Sequence, residues 1–330
     1  MSQINKIFIN TTWGCNMDCP RCYIPKNLRD DHKSRLSAQY LNKVLKHQSI
    51  DQSSDTVVMY MGGEPSIIGK KQFKAYINAV KKALPEARHT VVTNFFNLPA
   101  WLTNLSINEF GCQIETTYAN GKKQTLSGNE SRYQEKFIKN LTAVTLEGVN
   151  CTVNVELNVE TIKAGIEPII SIMKQSNAKD WAFDYSVNFD EFNHNPGYDK
   201  FNYPILTSST RLRDYWSFVH AIKQDQWVID SEVRIAPRSD GFNVLEGRSF
   251  LTINANNTVT TNPLFSTMSA LQYSDIDALN SSNIRENHQR RAVSRIHPCV
   301  GCDEFFDCQG FSSHIPIQQE GVCAGGLSHA

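Results

Sequence analysis

Six short runs rich in β-branched and aromatic residues alternate with amphipathic helical stretches through the first two thirds of the chain. These candidate strands are Lys6–Thr12, Thr56–Met61, Thr90–Asn94, Cys112–Thr117, Cys151–Asn158 and Trp181–Asn188. Strands and helices that alternate with short connections predict a parallel sheet under a layer of helices. Six repeats fall short of the eight that close a TIM barrel. We therefore expect an α/β fold, a partial (β/α)6 barrel with an open side.

Helical spacing of apolar residues fills the intervals between these strands. Ser37 is a candidate N-cap for the first long helix, and KKQFKAYINAVKKAL carries Phe73, Ile77, Val80 and Leu84 on one face. Two further helices are predicted in the intervals that follow, Glu130–Leu146 and Ala164–Lys174.

The pattern changes after residue 205. A bridging helix is predicted over Arg211–Lys223, a hairpin in FLTINANNTVTT with its turn at Asn256-Asn257, and a polar helical segment over Ser274–Arg295. We expect three units from this organisation: residues 1–205 as the barrel, 206–245 as a bridging helix and linker, and 246–330 as a small C-terminal domain.

Two neighbouring strands alternate polar and apolar residues. The polar members are Asn154, Glu156 and Asn158 on the fifth strand, and Asp184, Ser186 and Asn188 on the sixth. In a parallel barrel the apolar row packs under the helices, so the polar row faces the lumen. A solvated strand face is the alternative for either strand alone. Two adjacent strands with the same parity favour a cavity that holds a polar ligand.

The cysteines are distributed unevenly, because seven of the nine fall in two tight groups at opposite ends of the sequence. The first group, Cys15, Cys19 and Cys22, forms a C-x3-C-x2-C loop directly after the first predicted strand. Three thiolates on one tight loop can hold three corners of an iron–sulfur cubane and leave the fourth iron open for a small molecule. The alternatives are cysteines buried for packing and a zinc site with a distant fourth ligand.

This loop resembles the signature of the radical S-adenosylmethionine (radical SAM) superfamily, in which it follows the first strand of a six-repeat partial barrel. The resemblance includes the aromatic residue after the loop, Tyr23, and the sequence MGGEP at the end of the second strand. It implies a [4Fe–4S] cluster that binds S-adenosylmethionine and generates a 5′-deoxyadenosyl radical. Glycines let the main chain approach a ligand closely, and Glu64 would place negative charge near the ammonium group of the cofactor.

The resemblance also assigns expected roles to residues at the strand ends. The expected cofactor contacts are Tyr23, Gly62, Gly63, Glu64, Pro65, Asn94, Thr117 and Asn158. Phe95 replaces a glycine that the family often has after Asn94, and Arg132 is the nearest candidate for the family's arginine near the cofactor carboxylate. The candidate catalytic residues, expected to orient the substrate in the lumen, are Glu115, Glu156 and Asp184.

The second cysteine group has the pattern C-x2-C-x5-C followed by one more cysteine. Its members are Cys299, Cys302, Cys308 and Cys323. Four thiolates close a tetrahedral site that by spacing alone suits zinc and a cubane equally. The arrangement is similar to the SPASM extension of radical SAM enzymes that modify peptides, which holds auxiliary [4Fe–4S] clusters.

The full SPASM pattern carries further cysteines that this chain lacks. Ser312 stands where the pattern has a cysteine, and the hairpin segment TVTTNPLF contains none. Both losses remove ligands of one auxiliary cluster, so we expect two [4Fe–4S] clusters in total, one at the cofactor site and one auxiliary. The remaining cysteines, Cys112 and Cys151, are expected to be buried for packing, with hydrogen-atom donation to a substrate radical as the alternative.

Composition excludes several partners and leaves the substrate open. Lys plus Arg and Asp plus Glu both number 33, so the chain lacks the basic surplus of a nucleic-acid or anionic-membrane binder. No signal peptide is recognisable, and free clustered cysteines suit a reducing compartment, so we expect a cytoplasmic protein. An electron donor such as flavodoxin or ferredoxin is an expected partner.

Three functions are compatible with these patterns. By resemblance, the expected function is oxidoreductase chemistry on a ribosomally made peptide, with or without a leader segment, giving a side-chain crosslink or an epimer. A radical SAM enzyme for a small molecule stays open, because the first predicted strand begins within the first residues and leaves no room for a leader-binding domain. A non-catalytic iron–sulfur protein is the third possibility.

Overall fold

Six parallel strands form the centre of a single sheet and occur in the predicted order. The structure is a computed structural model that describes residues 4–109, 111, 113–187, 197–198, 200–202, 204–205, 208, 210–237, 249–296, 318–319 and 322–323. The central strands are β1 (Lys6–Asn10), β2 (Val57–Met61), β3 (Arg88–Val92), β4 (Gln113–Tyr118), β5 (Asn150–Leu157) and β6 (Asp180–Tyr185). Each pairs in parallel with its sequence neighbour.

Later parts of the chain extend this sheet at both edges. The short strands β7 (Gly197–Tyr198) and β8 (Pro204–Ile205) pair separately, whereas β9 (Arg234–Pro237) pairs in parallel with β6. At the opposite edge, β10 (Phe250–Ile253) pairs in parallel with β1 and forms the predicted hairpin with β11 (Val259–Thr260). Within the described residues β9 and β11 are the two edges, so the expected open α/β partial barrel is confirmed. The sheet continues past residue 205, and the division into domains stays a prediction.

Helices lie between and after the strands. They are α1 (Lys26–Arg29), α2 (Ala38–Leu45), α3 (Lys70–Ala83), α4 (Ala100–Glu109), α5 (Glu130–Leu146), α6 (Val159–Ala164), α7 (Glu167–Ser176), α8 (Leu212–Lys223), α9 (Gln226–Asp230), α10 (Ile276–Ser281) and α11 (Ile284–Ile296). Ser37 caps α2 as predicted, since its hydroxyl accepts the backbone N–H of Tyr40 at 3.3 Å. None of the helices in the described ranges is long and apolar enough to cross a membrane.

The stretch predicted as one helix from Ala164 is divided in two. Gly165 has φ 77°, in the left-handed region that glycine adopts without a steric penalty, and it ends α6. Helix α7 then begins with Pro168 in its first turn, where the missing N–H of proline costs no hydrogen bond.

The core lies between the sheet and the helices. Val153, Val155 and Leu157 on β5 are buried there, as their parity predicts, and pack with the buried aromatic faces of the surrounding helices. Because the opposite face of β5 carries Asn154 and Glu156, this packing directs polar side chains to the concave side of the sheet.

A buried histidine on β3 makes stability depend on pH. The ring of His89 stacks on Tyr60 with centroids 5.9 Å apart, and its Nδ1 is 3.0 Å from the Tyr60 hydroxyl. Burial lowers the pKa of His89 to about 4, whereas an unfolded histidine has a pKa of about 6.5. The contribution of neutral His89 to the free energy of unfolding is therefore complete above pH 6.5 and is lost as the pH falls towards 4.

We expect the free energy of unfolding to fall by about 3 kcal/mol through this group between pH 6.5 and pH 4. Urea titrations over that range would show a flatter acid limb for His89→Gln, which cannot bind the proton. His32→Gln, at an exposed histidine, is the matched control and should keep the wild-type slope. Equal slopes for all three proteins would contradict the prediction.

Candidate functional site

The first cysteine group lies at the carboxyl end of β1 and lines a cavity of about 240 Å³. The free thiols of Cys15, Cys19 and Cys22 share this cavity with residues from the ends of β2 to β5. Of the expected site residues, those that line it are Tyr23, Gly62, Gly63, Asn94, Thr117 and Glu156. The carboxyl edge of a parallel sheet is where α/β folds place their ligands.

A buried arginine holds the cysteine loop in shape. Arg29 Nη1 donates to the carbonyl oxygen of Cys19 at 3.2 Å and lies 3.2 Å from Asp18 Oδ1, while its own carbonyl accepts the N–H of Cys15 at 3.0 Å. The segment between β4 and α5 also binds the loop, through the N–H of Asp18 and the carbonyl oxygen of Gln124, 3.1 Å apart. This segment brings Lys122 and Lys123 into the cavity wall.

Two glycines let the end of β2 pack directly on the cysteine loop. Gly63 donates to the carbonyl oxygen of Thr12 at 2.9 Å, and Glu64 donates to that of Gly14 at 2.9 Å. A Cβ on Gly63 would lie 2.1 Å from the carbonyl oxygen of Gly14, and Gly62 has φ 134°. The main chain at the end of β2 therefore comes closer to the main chain of the cysteine loop than a Cβ atom at position 63 would allow.

Glu64 has a different place from the expected one at the cofactor ammonium. Its carboxylate accepts the hydroxyl of Thr93 at 2.9 Å, the N–H of Asn94 at 2.8 Å and the N–H of Ser66 at 3.0 Å. The side chain is fully buried behind the cavity wall, and the burial raises its pKa. Because all three donors belong to the ends of β2 and β3, Glu64 joins these two strand ends. Pro65 follows it as the first residue of a short 3₁₀ helix, Pro65–Ile68.

Asn158 and Arg132 also lie outside the cavity wall. Asn158 caps α6 by accepting the N–H of Thr161 at 2.7 Å, and it donates to the carbonyl oxygen of Asn120 at 2.8 Å. This is the capping role that asparagine favours at a helix start. Arg132 is exposed in the first turn of α5. The cations that line the cavity are instead Arg21, Lys122 and Lys123, none of which the family resemblance indicated.

Asn94 links the cysteine loop to the end of β3. Its side-chain amide donates to Asn16 Oδ1 at 2.8 Å and lies 3.8 Å from Cys15 Sγ. The next residue, Phe95, has φ 58°, a conformation that explains why a glycine suits this position. Phe95 is fully buried against Phe137, with ring centroids 6.0 Å apart, so its packing offsets the strained backbone.

The donor set suits an iron–sulfur cluster. Burial, with a smaller contribution from the Glu64 carboxylate, raises the pKa of the Cys15 thiol to about 12. A thiolate at this position therefore needs the positive charge of bound metal. Three thiols in one wall, with no histidine among the described residues that line the cavity, match the sulfur ligation of iron–sulfur clusters.

A buried ion pair forms the side of the cavity at β5. Lys122 Nζ contacts Glu156 Oε1 and donates to the hydroxyl of Ser186 at 2.8 Å, and this hydroxyl donates to Glu156 Oε1 at 2.7 Å. The side chain of Lys122 is 7% exposed and that of Glu156 20%. The polar row on the fifth strand had indicated that Glu156 faces the lumen, and a lumenal carboxylate needs a counter-charge. Lys122, which follows Gly121 in the loop after the fourth strand, was the residue in the sequence that could have indicated this counter-charge.

Removing one member of this pair should destabilise the protein. We expect Lys122→Met to lower the free energy of unfolding by about 3 kcal/mol, because it leaves the Glu156 carboxylate buried without a cation. Combining it with Glu156→Gln should recover part of that loss. Urea unfolding of the four proteins of this cycle measures the coupling. Additive effects of the two substitutions would contradict the prediction, and Lys163→Met, at an exposed lysine, is the control.

The other two candidate catalytic carboxylates lie near the pair but not in the cavity wall. Glu115 Oε2 accepts the side-chain amide of Asn154 at 3.2 Å, and Asp184 is the register partner of Glu156 on β6. Both are partly buried. Their roles in substrate orientation stay predictions.

Several predicted residues lie outside the described parts of the chain. They are Cys112, Asn188, Cys299, Cys302, Cys308 and Ser312, together with the side chain of Cys323. Cys151 is described and is buried in the core between the sheet and the helices, where burial raises its pKa well above the usual range. A thiol in this environment is a packing residue.

Comparisons with known proteins agree with this arrangement. A family described as "4Fe-4S single cluster domain" matches residues 7–135, which include the three cysteines and the MGGEP segment. Native anSMEcpe with bound AdoMet superposes with a TM-score of 0.68 at 15% identity, over 93% of this chain and 88% of that chain. Streptococcus suis SuiB bound to precursor peptide SuiA gives 0.59 at 13% identity, over 88% and 67%.

The chain has the radical SAM fold. The fold implied by the resemblance of the cysteine loop and the MGGEP segment is thereby confirmed, and no curated protein sequence matches the chain. In this radical SAM fold the 4Fe-4S domain match covers the strands β1 to β4 that carry most of the cavity wall.

Proposed function

We propose that the protein is a radical SAM enzyme whose catalytic cluster is held by Cys15, Cys19 and Cys22. The observation that carries this proposal is the shared cavity in which three free thiols face Gly62 and Gly63 at the carboxyl edge of the sheet. When bound, the cluster and S-adenosylmethionine supply a 5′-deoxyadenosyl radical that removes a hydrogen atom from an unactivated C–H bond.

The residues of the chain then bind and orient the reactants. Gly62 and Gly63 line the cavity beside the cysteines, and because they carry no side chain the cofactor can approach their main chain closely. Lys122 fixes the position of the Glu156 carboxylate in the opposite wall, which gives a substrate N–H group a preorganised acceptor.

The substrate class we propose is a peptide. Support comes from the fold relatives, of which anSMEcpe is described with bound AdoMet and Cp18Cys peptide and SuiB with precursor peptide SuiA. The burial of Cys151 in the core removes one hydrogen-atom donor that an epimerase would use. We therefore favour an oxidative side-chain crosslink over epimerisation.

Anaerobic reconstitution with iron and sulfide, followed by S-adenosylmethionine and dithionite, tests the enzyme proposal. We expect 5′-deoxyadenosine by chromatography, and its absence from fully loaded protein would overturn the proposal. A candidate precursor peptide encoded beside this gene should lose two mass units for each crosslink. A gain of one deuterium per modified residue in heavy water would instead identify an epimerase, and turnover of a small molecule alone would exclude the peptide class.

Iron counting tests the proposed auxiliary cluster. The second cysteine group has four thiols, and two cubanes require about eight irons per chain. Cys299→Ala with Cys302→Ala should lower this value to about four and leave the charge-transfer absorption of the first cluster. Four irons in the wild type, or zinc in the second site, would contradict the two-cluster proposal.

A further inference from the structure

A second concavity begins directly beside the cysteine loop. It has a volume of about 500 Å³ and starts at Asn16, the residue that follows Cys15 in the sequence. Its walls come from the 3₁₀ helix Pro65–Ile68, the segment between β3 and α4, and the middle of α5. We call this concavity the lysine groove, after the two cations that line it, Lys136 and Lys139.

The lysine groove carries a local positive charge. All of its lining residues are polar, apolar or basic, and none of them is a carboxylate. Lys70 and Lys71, which follow the lining residue Ile67 in sequence, are also exposed. The chain as a whole has a formal charge of zero. The positive charge at the groove is therefore a property of this surface and not of the whole protein, and it fits an acidic partner.

Contacts with neighbouring residues fix the positions of side chains in the wall of the lysine groove. Lys136 Nζ lies 4.5 Å from the centroid of the Phe96 ring and donates to Asn97 Oδ1 at 3.1 Å. Asn140 on the same helix donates to the carbonyl oxygen of Phe95 at 2.6 Å and joins α5 to the end of β3. Phe96 and Trp101 supply apolar lining between the lysines and the 3₁₀ helix. Apolar side chains surrounded by a polar, solvent-accessible rim are typical of a protein interface.

Two hydrogen-bonded asparagine side chains connect the wall of the lysine groove to the wall of the cysteine cavity. Asn16 lines the groove, and its Oδ1 accepts the amide of Asn94, which lies 3.8 Å from Cys15 Sγ. Asn94 itself lines the cysteine cavity. A partner seated in the groove therefore comes within one residue of a cluster ligand without entering the cavity where the substrate reacts.

We propose that the lysine groove docks an acidic one-electron carrier protein, with a flavin or iron–sulfur centre, that reduces the cluster held by Cys15, Cys19 and Cys22. The inference rests on the proposed function, which requires one electron for each cofactor molecule cleaved. The carrier loses one electron and the cluster gains one, and no covalent bond forms or breaks. Interfaces of redox partners are small and transient, and charge steers their encounter.

Stopped-flow reduction of the cluster, recorded without S-adenosylmethionine, tests this assignment. Reduced flavodoxin and reduced ferredoxin serve as carriers, and dithionite is the small reductant that needs no docking surface. We expect Lys136→Glu with Lys139→Glu to slow reduction by the better carrier by about tenfold at low salt, and to weaken the salt dependence of the rate. Reduction by dithionite should match that of the control variant.

The matched control is Lys163→Glu with Lys223→Glu, at exposed lysines on α6 and α8. It makes the same change in net charge and should keep the wild-type carrier rate. Equal iron content and equal circular dichroism of both variants show that each is folded and loaded. Lys136→Gln with Lys139→Gln should give an intermediate rate.

Two results would overturn the proposal. Equal carrier rates for the groove variant and the control would show that the carrier docks elsewhere. Weaker binding of substrate peptide to the groove variant, with an unchanged carrier rate, would make the groove a peptide site. Failure of the proposed function appears separately, as loaded wild-type protein that cleaves no S-adenosylmethionine with dithionite.

Discussion

Cys19→Ala should leave less than about 1% of the wild-type 5′-deoxyadenosine formation, because a lost ligand exceeds the 10- to 100-fold effect of substitutions around a metal site. Cys19 is partly exposed in the cavity wall, so removing its thiol costs little packing. The loss should therefore appear in iron content and in the visible spectrum before it appears in folding. Product chromatography and an iron assay on the same anaerobic sample measure both.

Cys151→Ala is the matched control for this variant. It also deletes a thiol, but from the core between the sheet and the helices, where the cost is one of packing. We expect wild-type iron content, nearly wild-type product formation and a lower melting temperature. Loss of iron in Cys151→Ala, or full activity in Cys19→Ala, would contradict the assignment of the first cysteine group.

Gly63→Ala should have an effect almost as large through sterics alone. The new Cβ would meet the carbonyl oxygens of Gly14 at 2.1 Å and Trp13 at 2.3 Å, so the end of β2 must move away from the cysteine loop. We expect a destabilisation of about 3 kcal/mol and, because a displacement of about 1 Å can cost 100-fold in rate, a loss of activity of that order. Urea unfolding and product formation measure the two effects.

Gly148→Ala separates this clash from the ordinary cost of replacing a glycine. Gly148 also has a positive φ, 75°, but a Cβ there meets no atom within 4 Å. We expect it to cost about 1 kcal/mol through backbone strain and to leave activity unchanged. If both variants behaved alike, the close approach of the two main chains would have no functional importance.

The strands and the cysteine loop were predictable from sequence because each depends on a local pattern. Alternating polarity on β5 correctly placed Val153 and Val155 under the helices and Glu156 on the cavity side. The α/β partial barrel followed from the order of strands and helices. The spacing of Cys15, Cys19 and Cys22 identified the loop that lines the cavity, since three cysteines within eight residues share one wall without tertiary information.

The parts that were not predictable depend on contacts between distant segments. Glu64 lies within the motif that marks the cofactor site, yet its partners Thr93 and Asn94 are some 30 positions away and draw the carboxylate behind the wall. Lys122 reaches the cavity only because the segment after β4 packs on the cysteine loop. Asn158 belongs to the polar row, but the start of α6 uses its side chain as a cap. Each of the three side chains takes its place through a hydrogen bond or packing contact with a segment distant in the sequence, such as Asn120 for Asn158.

The pairing of β10 with β1 also sets an order on the maturation of the protein. Strand β1 leads into the cysteine loop, but its outer neighbour lies far along the chain, and the Asn10 side chain donates to Asn254 across 244 positions. During synthesis, β1 therefore waits with its outer edge unpaired until β10 has been made. Cluster insertion before that point would meet a loop whose supporting strand is only half enclosed, so delivery of iron and sulfur fits best after β10 has paired.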